Sequence, residues 1–189
     1  MNTTKQIFIV GSSRSGTTMM SRIINNHRDV FTFKELHFFS RILGSRINKK
    51  INRSKQIKLL ARLFCVQEEG VFTKKNISDY YSQSEKILSK NINYTPIEVY
   101  DKFLSYFTSL ESKIVSCEQT PNNIYYINDI LHHFPNAKVI NMVRDQRAVL
   151  CSQKNKWRRR FLGSKKIPLR EMLRSYFNYH PITISKIWN

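Results

Sequence analysis

The stretch Gly11–Thr18, GSSRSGTT, decides the fold that this sequence predicts. The apolar run Ile7–Val10 precedes it, and a short apolar run that ends at glycine predicts a buried strand. A helix is predicted directly after the stretch, over residues 17–26. Two glycines five residues apart between a strand and a helix are typical of a phosphate-binding loop. An ATP-binding loop of the form GxxxxGK[ST] has a lysine where this chain has Thr17, so we expect a ligand other than a nucleoside triphosphate.

The side chains of this loop also favour an anion. Backbone N–H groups and the positive end of the helix dipole point towards the ligand of such a loop. Arg14 adds a planar, permanently charged fork that suits two oxygens of a phosphate or sulfate. Thr17 and Thr18 add hydroxyl donors in the first helical turn. The missing lysine favours a shorter anionic group than a triphosphate chain.

Strands alternate with helices along the rest of the chain. Further strands are predicted at Ile114–Cys117 and Val139–Val143. The capping box Thr95-Pro-Ile-Glu98 predicts one helix start, and Thr120-Pro121 predicts another. The predicted helices are 17–26, with Met19, Met20, Ile23 and Ile24 on one face, 54–64, 95–110, 120–134, 146–157 and 168–179. This order predicts a three-layer, P-loop-like α/β domain with a mainly parallel sheet, whose ligands bind at the carboxyl ends of the strands.

Composition limits the class of protein. A chain of 189 residues with 41% hydrophobic content can bury a core, and we expect a single domain over residues 1–189. Its apolar runs are shorter than the ~20 residues of a membrane span. Cys65, Cys117 and Cys151 lack the spacing of metal ligands, so we expect buried thiols and a cytoplasmic protein.

The net charge of +19, from 32 Lys and Arg against 13 Asp and Glu, favours polyanionic partners. Residues 41–62 carry eight basic side chains and no acidic one, and residues 154–174 carry nine against Glu171 alone. These segments are either solvated helix faces or surfaces that face an anion.

Arg144 and Ser152 form a second candidate site. Arg144 follows the strand predicted at Val139–Val143, and Ser152 lies eight residues on, in the next predicted helix. The two side chains can converge on one phosphate. Together with the loop Gly11–Thr18, they predict a ligand with two anionic groups.

These segments resemble those of sulfotransferases that use 3′-phosphoadenosine 5′-phosphosulfate (PAPS). GSSRSGTT is similar to the family's 5′-phosphosulfate loop, and FPNAKVINMVRDQRAVLCS, residues 134–152, is similar to its 3′-phosphate segment. CEQTPNNIYYINDILHHFPNAK, residues 117–138, resembles the family's Thr-Pro-initiated helix. The resemblance implies an enzyme that takes a sulfuryl group from PAPS and releases 3′,5′-ADP. A sulfuryl group carries less charge than a phosphoryl group, and no DxD or His/Asp cluster in the sequence favours a metal, so we expect none. The PAPS-binding residues that it implies are Arg14, Ser15, Gly16, Thr17, Thr18, Arg144 and Ser152.

The segment Phe33–Phe38, FKELHF, contains the candidates for the general base. Glu35 lies 21 residues after Arg14 and matches the base of glycan and tyrosylprotein sulfotransferases. The resemblance therefore implies Glu35 as the catalytic base and Arg14 as the catalytic cation that stabilises the transferred group. His37 is the rival base, because the branch acting on small molecules uses histidine; we favour Glu35 on its spacing.

Two features depart from the family pattern. A lysine often precedes Thr-Pro in this branch, and this chain has Gln119 there, which predicts slow transfer or a substitute base such as Lys34. Family domains usually continue well past the Arg/Ser segment, whereas this chain ends at Asn189. We expect the single domain to be either complete or without the usual C-terminal portion.

The acceptor is expected to be anionic. Eight cations without an acid repel one another unless they are solvated or face an anion, and residues 41–62 follow Glu35 directly. We therefore expect a uronic-acid-bearing, phosphorylated or sulfated glycan. The acceptor-binding residues predicted on this basis are Arg46, Lys49, Lys50 and Arg53.

Two other classes stay open at this stage. A P-loop kinase or NTPase would need the lysine that Thr17 replaces, with Asp145 as a metal-binding aspartate. A nucleic-acid-binding module would account for the charge, but such modules interleave basic and exposed aromatic residues, whereas the basic runs here have aliphatic helical spacing.

Overall fold

The computed structural model describes residues 5–42, 48–73, 75–155, 157–158 and 168–178. A four-stranded sheet with the order β2-β3-β1-β4 lies at its centre, and every strand pairing in these residues is parallel. The strands are β1 (Lys5–Gly11), β2 (Val30–Thr32), β3 (Val115–Glu118) and β4 (Lys138–Met142). Their carboxyl ends therefore lie along one edge, where open α/β sheets bind ligands.

Seven α-helices of the described residues accompany the sheet. They are α1 (Thr17–Asn25), α2 (Arg53–Glu69), α3 (Tyr81–Ile87), α4 (Pro96–Leu110), α5 (Ile127–His133), α6 (Gln146–Lys154) and α7 (Leu169–Asn178). A π-helical turn covers Phe38–Ile42, and 3₁₀ helices cover Ile77–Tyr80 and Pro121–Tyr126. The predicted capping box at Thr95 is confirmed, with Glu98 Oε2 accepting from the Thr95 backbone N–H at 2.7 Å.

Strand β1 is buried on both faces, which explains its continuous apolar sequence. Phe8 and Val10 belong to the main core, which α2, α4 and α5 also fill, whereas Ile9 belongs to a smaller core on the other face. Successive side chains of a strand alternate between its faces. Met20 and Ile24 of α1 pack against the smaller core. Helices therefore cover both faces of the sheet, and the predicted three-layer α/β fold is confirmed.

Aromatic rings dominate the main core next to the segment that follows β2. Phe38 stacks on Tyr100 with 4.1 Å between ring centroids, and Phe33 contacts Phe103 at 5.6 Å. Buried aromatic rings contribute the largest share of core energetics. Because Phe33 and Phe38 flank residues 34–37, the core fixes both ends of the loop that carries Glu35.

The predicted apolar face of α1 is only half correct. Met20 and Ile24 are packed, but Met19 and Ile23 are 61% and 56% exposed, and Thr17 and Ser21 are buried in their place. The preceding loop sets this rotation: Gly16 adopts a left-handed φ of 104°, and the helix that follows turns Thr17 into the protein.

The predictions of one helix over residues 120–134 and of a buried Cys151 are wrong. Residues 120–134 form a 3₁₀ helix followed by α5 rather than one helix, and the Thr120 hydroxyl donates to Glu118 instead of capping a helix start. The Thr120 hydroxyl is thus held by the buried carboxyl group of Glu118. Cys65 and Cys117 are buried as predicted, whereas Cys151 is exposed on α6.

Strands β1 and β4 lie close together at Gly11, which pairs with Met142. A Cβ at this position would lie 2.5 Å from the Met142 carbonyl oxygen, and Gly11 has a φ of 141°. We expect Gly11→Ala to lower the free energy of unfolding by about 3 kcal/mol or more, from backbone strain and overlap together. Urea unfolding midpoints measure this loss.

Gly70 provides the matched control. Its φ is 87°, but no atom lies within 4 Å of an added Cβ. Gly70→Ala should therefore cost only the backbone strain, roughly 1–3 kcal/mol. Equal losses for the two variants would contradict a close approach of β1 to β4.

Candidate active site

The four strand ends surround a cavity of about 420 Å³. The segments after β1, β2, β3 and β4 contribute Arg14, Glu35, Pro121 and Arg144 respectively to its lining. The lining residues outside these four segments are Arg41, Val71, Phe72, Trp157, Glu171, Met172, Arg174 and Ser175, with Thr17 and Thr18 at the start of α1. The cavity therefore lies where the sequence predicts a ligand site.

The loop Gly11–Thr18 opens α1 in the manner of an anion-binding loop. Among the described residues no side chain caps the start of α1, whose N-cap is Gly16. The first N–H groups of a helix are unsatisfied unless a cap, water or ligand accepts from them. Thr18 is exposed at this end, whereas Thr17 is only 4% exposed. The Ser15 hydroxyl donates to the Ser12 carbonyl at 2.6 Å, so it shapes the loop.

Arg14 joins the two predicted nucleotide-binding segments. Its Nε donates to Ser152 Oγ at 2.8 Å, and Arg144 Nη1 donates to the Arg14 carbonyl at 3.2 Å. Arg14 has a left-handed φ of 77°, which is uncommon for a residue other than glycine and costs conformational energy. Because the Ser152 hydroxyl accepts from Arg14, its own proton stays available to another acceptor. The fold brings together residues that lie 138 positions apart.

A residue that sequence analysis missed also ties α6 to the loop. Gln153 Nε2 donates to the Ser13 carbonyl at 3.0 Å, and Gln153 is 8% exposed. The only sequence signal was its position directly after Ser152. This bond fixes the start of the loop to the helix that carries Ser152.

Glu35 and His37 form a pair at the cavity. His37 Nε2 lies 3.3 Å from Glu35 Oε2, and the side chains of Glu35 and His37 are 42% and 12% exposed. His37 has a left-handed φ of 53° and its backbone N–H donates to Thr120 Oγ1 at 3.1 Å. The predicted base and its rival are therefore neighbours, and Glu35 is the more accessible of the two.

Glu118, which sequence analysis did not single out, is the buried anchor of this region. The backbone N–H groups of Leu36 and Thr120 each donate to its carboxyl group at 3.2 Å, and the Thr120 hydroxyl and Asn123 Nδ2 donate to it as well. Glu118 is 1% exposed. Burial raises the pKa of Glu118 from its ordinary value of 4.5 to about 7, although its donors and His37 act in the opposite direction. An acidic residue at the end of an apolar strand was the available signal.

Lys34 and Gln119 do not line the cavity. Lys34 Nζ donates to the Glu68 carbonyl at 2.7 Å, at the C-terminal end of α2, and so is held away from the site. Gln119 is 7% exposed, and its Oε1 has no hydrogen-bond partner among the described residues. Neither supplies a cation to the cavity.

Asp145 caps a helix. Its Oδ1 accepts from the backbone N–H of Arg147 at 2.8 Å, and its Oδ2 lies 2.9 Å from Arg147 Nη2. This carboxylate is engaged at the start of α6, as a helix cap rather than as part of an acidic cluster. Among the described residues, no group of three or more His, Cys, Asp or Glu side chains is arranged to hold a metal ion.

The predicted acceptor-binding cations lie outside the cavity lining, as far as the structure describes them. Lys49 and Lys50 are exposed, and Arg53 donates to the carbonyls of Ser89 and Glu85 at 2.8 and 3.0 Å, beside the end of α3. Arg46 lies outside the described residues. Two cations that sequence analysis did not select, Arg41 and Arg174, line the cavity instead.

Comparison with known proteins identifies the family. The model of the sulfotransferase family matches residues 6–181, and the chain belongs to this family. Family membership supports sulfuryl transfer by an enzyme of the transferase class. The predicted resemblance to sulfotransferases is therefore confirmed for the family. Separately, none of the described helices has the length and hydrophobicity to cross a membrane.

Two curated relatives are similar to parts of the chain. A protein-tyrosine sulfotransferase of Drosophila melanogaster is 27% identical over 146 residues, which are 77% of this chain and 24% of the relative. An uncharacterized protein of Aquifex aeolicus (strain VF5) is 28% identical over 151 residues, which are 78% of this chain and 16% of that protein. The chain thus spans about a quarter or less of the length of these relatives. No solved structure matches it significantly.

The raised pKa of Glu118 predicts a pH-dependent stability. An unfolded Glu118 loses its proton near pH 4.5, whereas the folded protein holds it until about pH 7. Wild-type stability should therefore fall, relative to Glu118→Gln, as the pH rises from about 4.5 to 7. The change should be on the order of 3 kcal/mol, at 1.4 kcal/mol per pKa unit.

Urea unfolding of both proteins at a series of pH values measures this difference. Subtracting the two curves removes the titration of the other carboxylates and histidines. If the free energies of unfolding of wild type and Glu118→Gln change in parallel between pH 4.5 and 8, the pKa of Glu118 is not raised by folding.

Proposed function

We propose that this protein transfers a sulfuryl group from PAPS to the hydroxyl of an acceptor, and that 3′,5′-ADP is its product. The contact between Arg14 Nε and Ser152 Oγ is the observation that carries the proposal. This contact joins two proposed anion-binding segments at one edge of the sheet. One is the loop Gly11–Thr18, which lacks the lysine of an ATP-binding loop, and the other carries Arg144 and Ser152. A ligand with a phosphosulfate at one end and a phosphate at the other matches this pair of sites.

The residues present fit such a donor. The uncapped start of α1, with Gly16, Thr17 and Thr18, would hold the phosphosulfate through N–H and hydroxyl donors. Arg144 and the free proton of Ser152 would hold the 3′-phosphate. Bound PAPS would supply the sulfuryl group as an electrophile, and this chain's residues would supply positioning, charge and a base.

Glu35 is the proposed general base. Its Oε2 faces His37 Nε2, so we assign removal of the acceptor's hydroxyl proton to Oε1. The Glu35 side chain is also more than three times as exposed as that of His37. His37 would hold the carboxylate in place and stabilise its charge, rather than meet the acceptor.

Arg14 is the proposed electrostatic catalyst. It lines the cavity, and its permanent charge would stabilise the negative charge that develops on the bridging and sulfuryl oxygens. Because Gln119 carries no charge and Lys34 is held at α2, Arg14 would do this without the lysine that often precedes Thr-Pro.

The acceptor is proposed to be an anionic glycan. Arg41 and Arg174 line the same cavity as Glu35 and His37. Arg41 Cζ lies 5.6 Å from the centroid of the Phe72 ring, whereas Arg174 is paired with Glu171 at 2.8 Å. A cation next to an apolar face suits a sugar ring that bears a carboxylate or sulfate. Exposed Lys49 and Lys50 would extend this attraction along a longer chain. A tyrosine-containing acidic peptide is the alternative acceptor, because one relative is a protein-tyrosine sulfotransferase.

Nucleotide choice tests the donor. If Arg144 binds the 3′-phosphate, 3′,5′-ADP should stabilise the protein to heat much more than 5′-ADP or ATP. Charge-assisted hydrogen bonds of this kind contribute roughly 1.5–3 kcal/mol, so Arg144→Ala should weaken 3′,5′-ADP binding at least about tenfold. Thermal shift and titration calorimetry provide the two measurements.

Arg147→Ala is the matched control for that experiment. It removes the same charge three residues away, but Arg147 is bound to Asp145 and does not line the cavity. Its affinity for 3′,5′-ADP should stay within about twofold of wild type at physiological salt. Equal binding of 3′,5′-ADP and 5′-ADP by the wild type would reject the donor assignment.

Substitution of Glu35 tests the base. Glu35→Gln should keep 3′,5′-ADP affinity and lower kcat by ~10²–10⁴, the range for loss of a positioned base. Sulfate transfer from radiolabelled PAPS should be measured with a sulfated or uronic-acid glycan, a neutral glycan and an acidic tyrosine peptide. We expect the anionic glycan to be turned over best.

Glu111→Gln serves as the control, because Glu111 is an exposed carboxylate at the end of α4, outside the cavity lining. It should leave kcat unchanged. Full activity of Glu35→Gln together with an inactive His37→Ala would assign the base to His37. Faster turnover of the peptide or of the neutral glycan would overturn the acceptor proposal.

A further inference from the structure

Thr120 connects the buried Glu118 carboxyl group to the loop that carries Glu35 and His37. The Thr120 hydroxyl donates to Glu118 Oε1. Thr120 Oγ1 in turn accepts from the His37 backbone N–H at 3.1 Å. The Leu36 backbone N–H donates directly to Glu118 Oε1 at 3.2 Å. Glu118 and Thr120 therefore hold the backbone N–H groups of two consecutive loop residues, Leu36 and His37.

The direction of these bonds depends on the carboxylate. A hydroxyl group has one proton and two lone pairs. Because the Thr120 hydroxyl donates its hydrogen bond to Glu118, the lone pairs of Thr120 Oγ1 are left to accept from the His37 backbone N–H. The second oxygen of Glu118 is held in the same way, by the Thr120 N–H and by Asn123 Nδ2. The carboxylate thus orients the hydroxyl that in turn orients the loop.

His37 needs such a restraint. Its φ of 53° lies in the left-handed region, which costs a non-glycine residue free energy and persists only where the surroundings enforce it. The Thr120 bond acts on the backbone of this strained residue, two positions from Glu35. Relaxation of His37 would move its imidazole away from Glu35 Oε2, which now lies 3.3 Å from Nε2.

Stability alone does not account for Glu118. A carboxyl group buried to 1% exposure is costly, and well-packed apolar residues often replace buried charged groups without loss of stability. The cost is offset by donors that converge on Glu118 from the active-site loop and from the start of the 3₁₀ helix at Pro121–Tyr126.

We infer that Glu118 and Thr120 are positioning residues that hold Glu35 and His37 in their reactive arrangement through a carboxylate–hydroxyl–backbone relay. The inference rests on the proposed function, because it gives this relay its purpose. Neither residue touches the acceptor or the donor in this assignment. Their loss should therefore lower kcat while leaving nucleotide affinity in place.

Thr120→Val and Thr120→Ser form the matched pair that tests the relay. Valine has nearly the shape of threonine but can neither donate to Glu118 nor accept from His37, whereas serine keeps both bonds. We expect Thr120→Val to lower kcat at least about tenfold and up to roughly 10²-fold, the effect of a misplaced catalytic group. Thr120→Ser should restore kcat to within about threefold of wild type, and both variants should bind 3′,5′-ADP as wild type does.

Glu118→Gln extends the test and replaces Thr120→Val if that variant does not fold. An amide nitrogen cannot accept, so either the Leu36 or the Thr120 N–H loses its partner, and kcat should again fall with nucleotide affinity kept. Equal kcat values for Thr120→Val and Thr120→Ser, or a wild-type kcat for Glu118→Gln, would overturn the relay. The Glu35→Gln result distinguishes failure of the proposed function from failure of the relay. If Glu35→Gln is fully active, the proposed base is wrong. If Glu35→Gln is inactive while Thr120→Val and Glu118→Gln are active, only the relay is wrong.

Discussion

The close approach of β1 to β4 at Gly11 is the constraint on which the candidate site depends. A side chain at this position would overlap the Met142 carbonyl, so only glycine lets the two strand ends lie side by side. The loop after β1 and Arg144 after β4 consequently begin next to each other. Arg14 can then donate to Ser152 while its carbonyl accepts from Arg144. The proximity of the two segments that we propose as the nucleotide site thus depends on one backbone contact.

Polar groups buried behind the cavity carry a cost that the large core offsets. Glu118 has lost nearly all of its hydration, and burial raises its pKa to about 7. Apolar residues of the main core, such as Phe103 and Leu104, are fully buried and supply the stability that tolerates this cost. In return, the segment after β2 gains fixed backbone partners in a region that lacks regular secondary structure. Loops that carry reactive groups need such support, because a rigid scaffold limits their motion.

Basic side chains of this protein lie both in the lining of the cavity and on the surface outside it. Lys49 and Lys50, in the first basic segment, are exposed, and Arg53 supports the end of α3, so part of that basic run serves solvation and local structure. The cations that line the cavity include Arg14 and Arg144, together with one residue of each basic segment, Arg41 and Arg174. Arg174 is paired there with Glu171 at 2.8 Å. A high net charge attracts polyanions over the whole surface, whereas only a few of the basic side chains line the cavity. Counting basic residues along the sequence therefore did not show which of them line the cavity.

The sequence by itself determined the sheet strands with continuous apolar runs, the glycine-bounded loop between β1 and α1, and the family, because strand burial and glycine spacing are local properties of the chain. It also placed Glu35 and His37 together, since they are two residues apart. It did not indicate β2, whose three residues form a strand only by pairing with β3, nor the 3₁₀ start of the segment predicted as one helix over 120–134. The contact of Arg14 with Ser152, the support of the loop by Glu118 and the choice of Arg41 over Lys49 were decided by tertiary structure alone. Each joins residues that are distant in sequence, and local spacing carries no information on which distant groups the packing of helices on a sheet brings into contact.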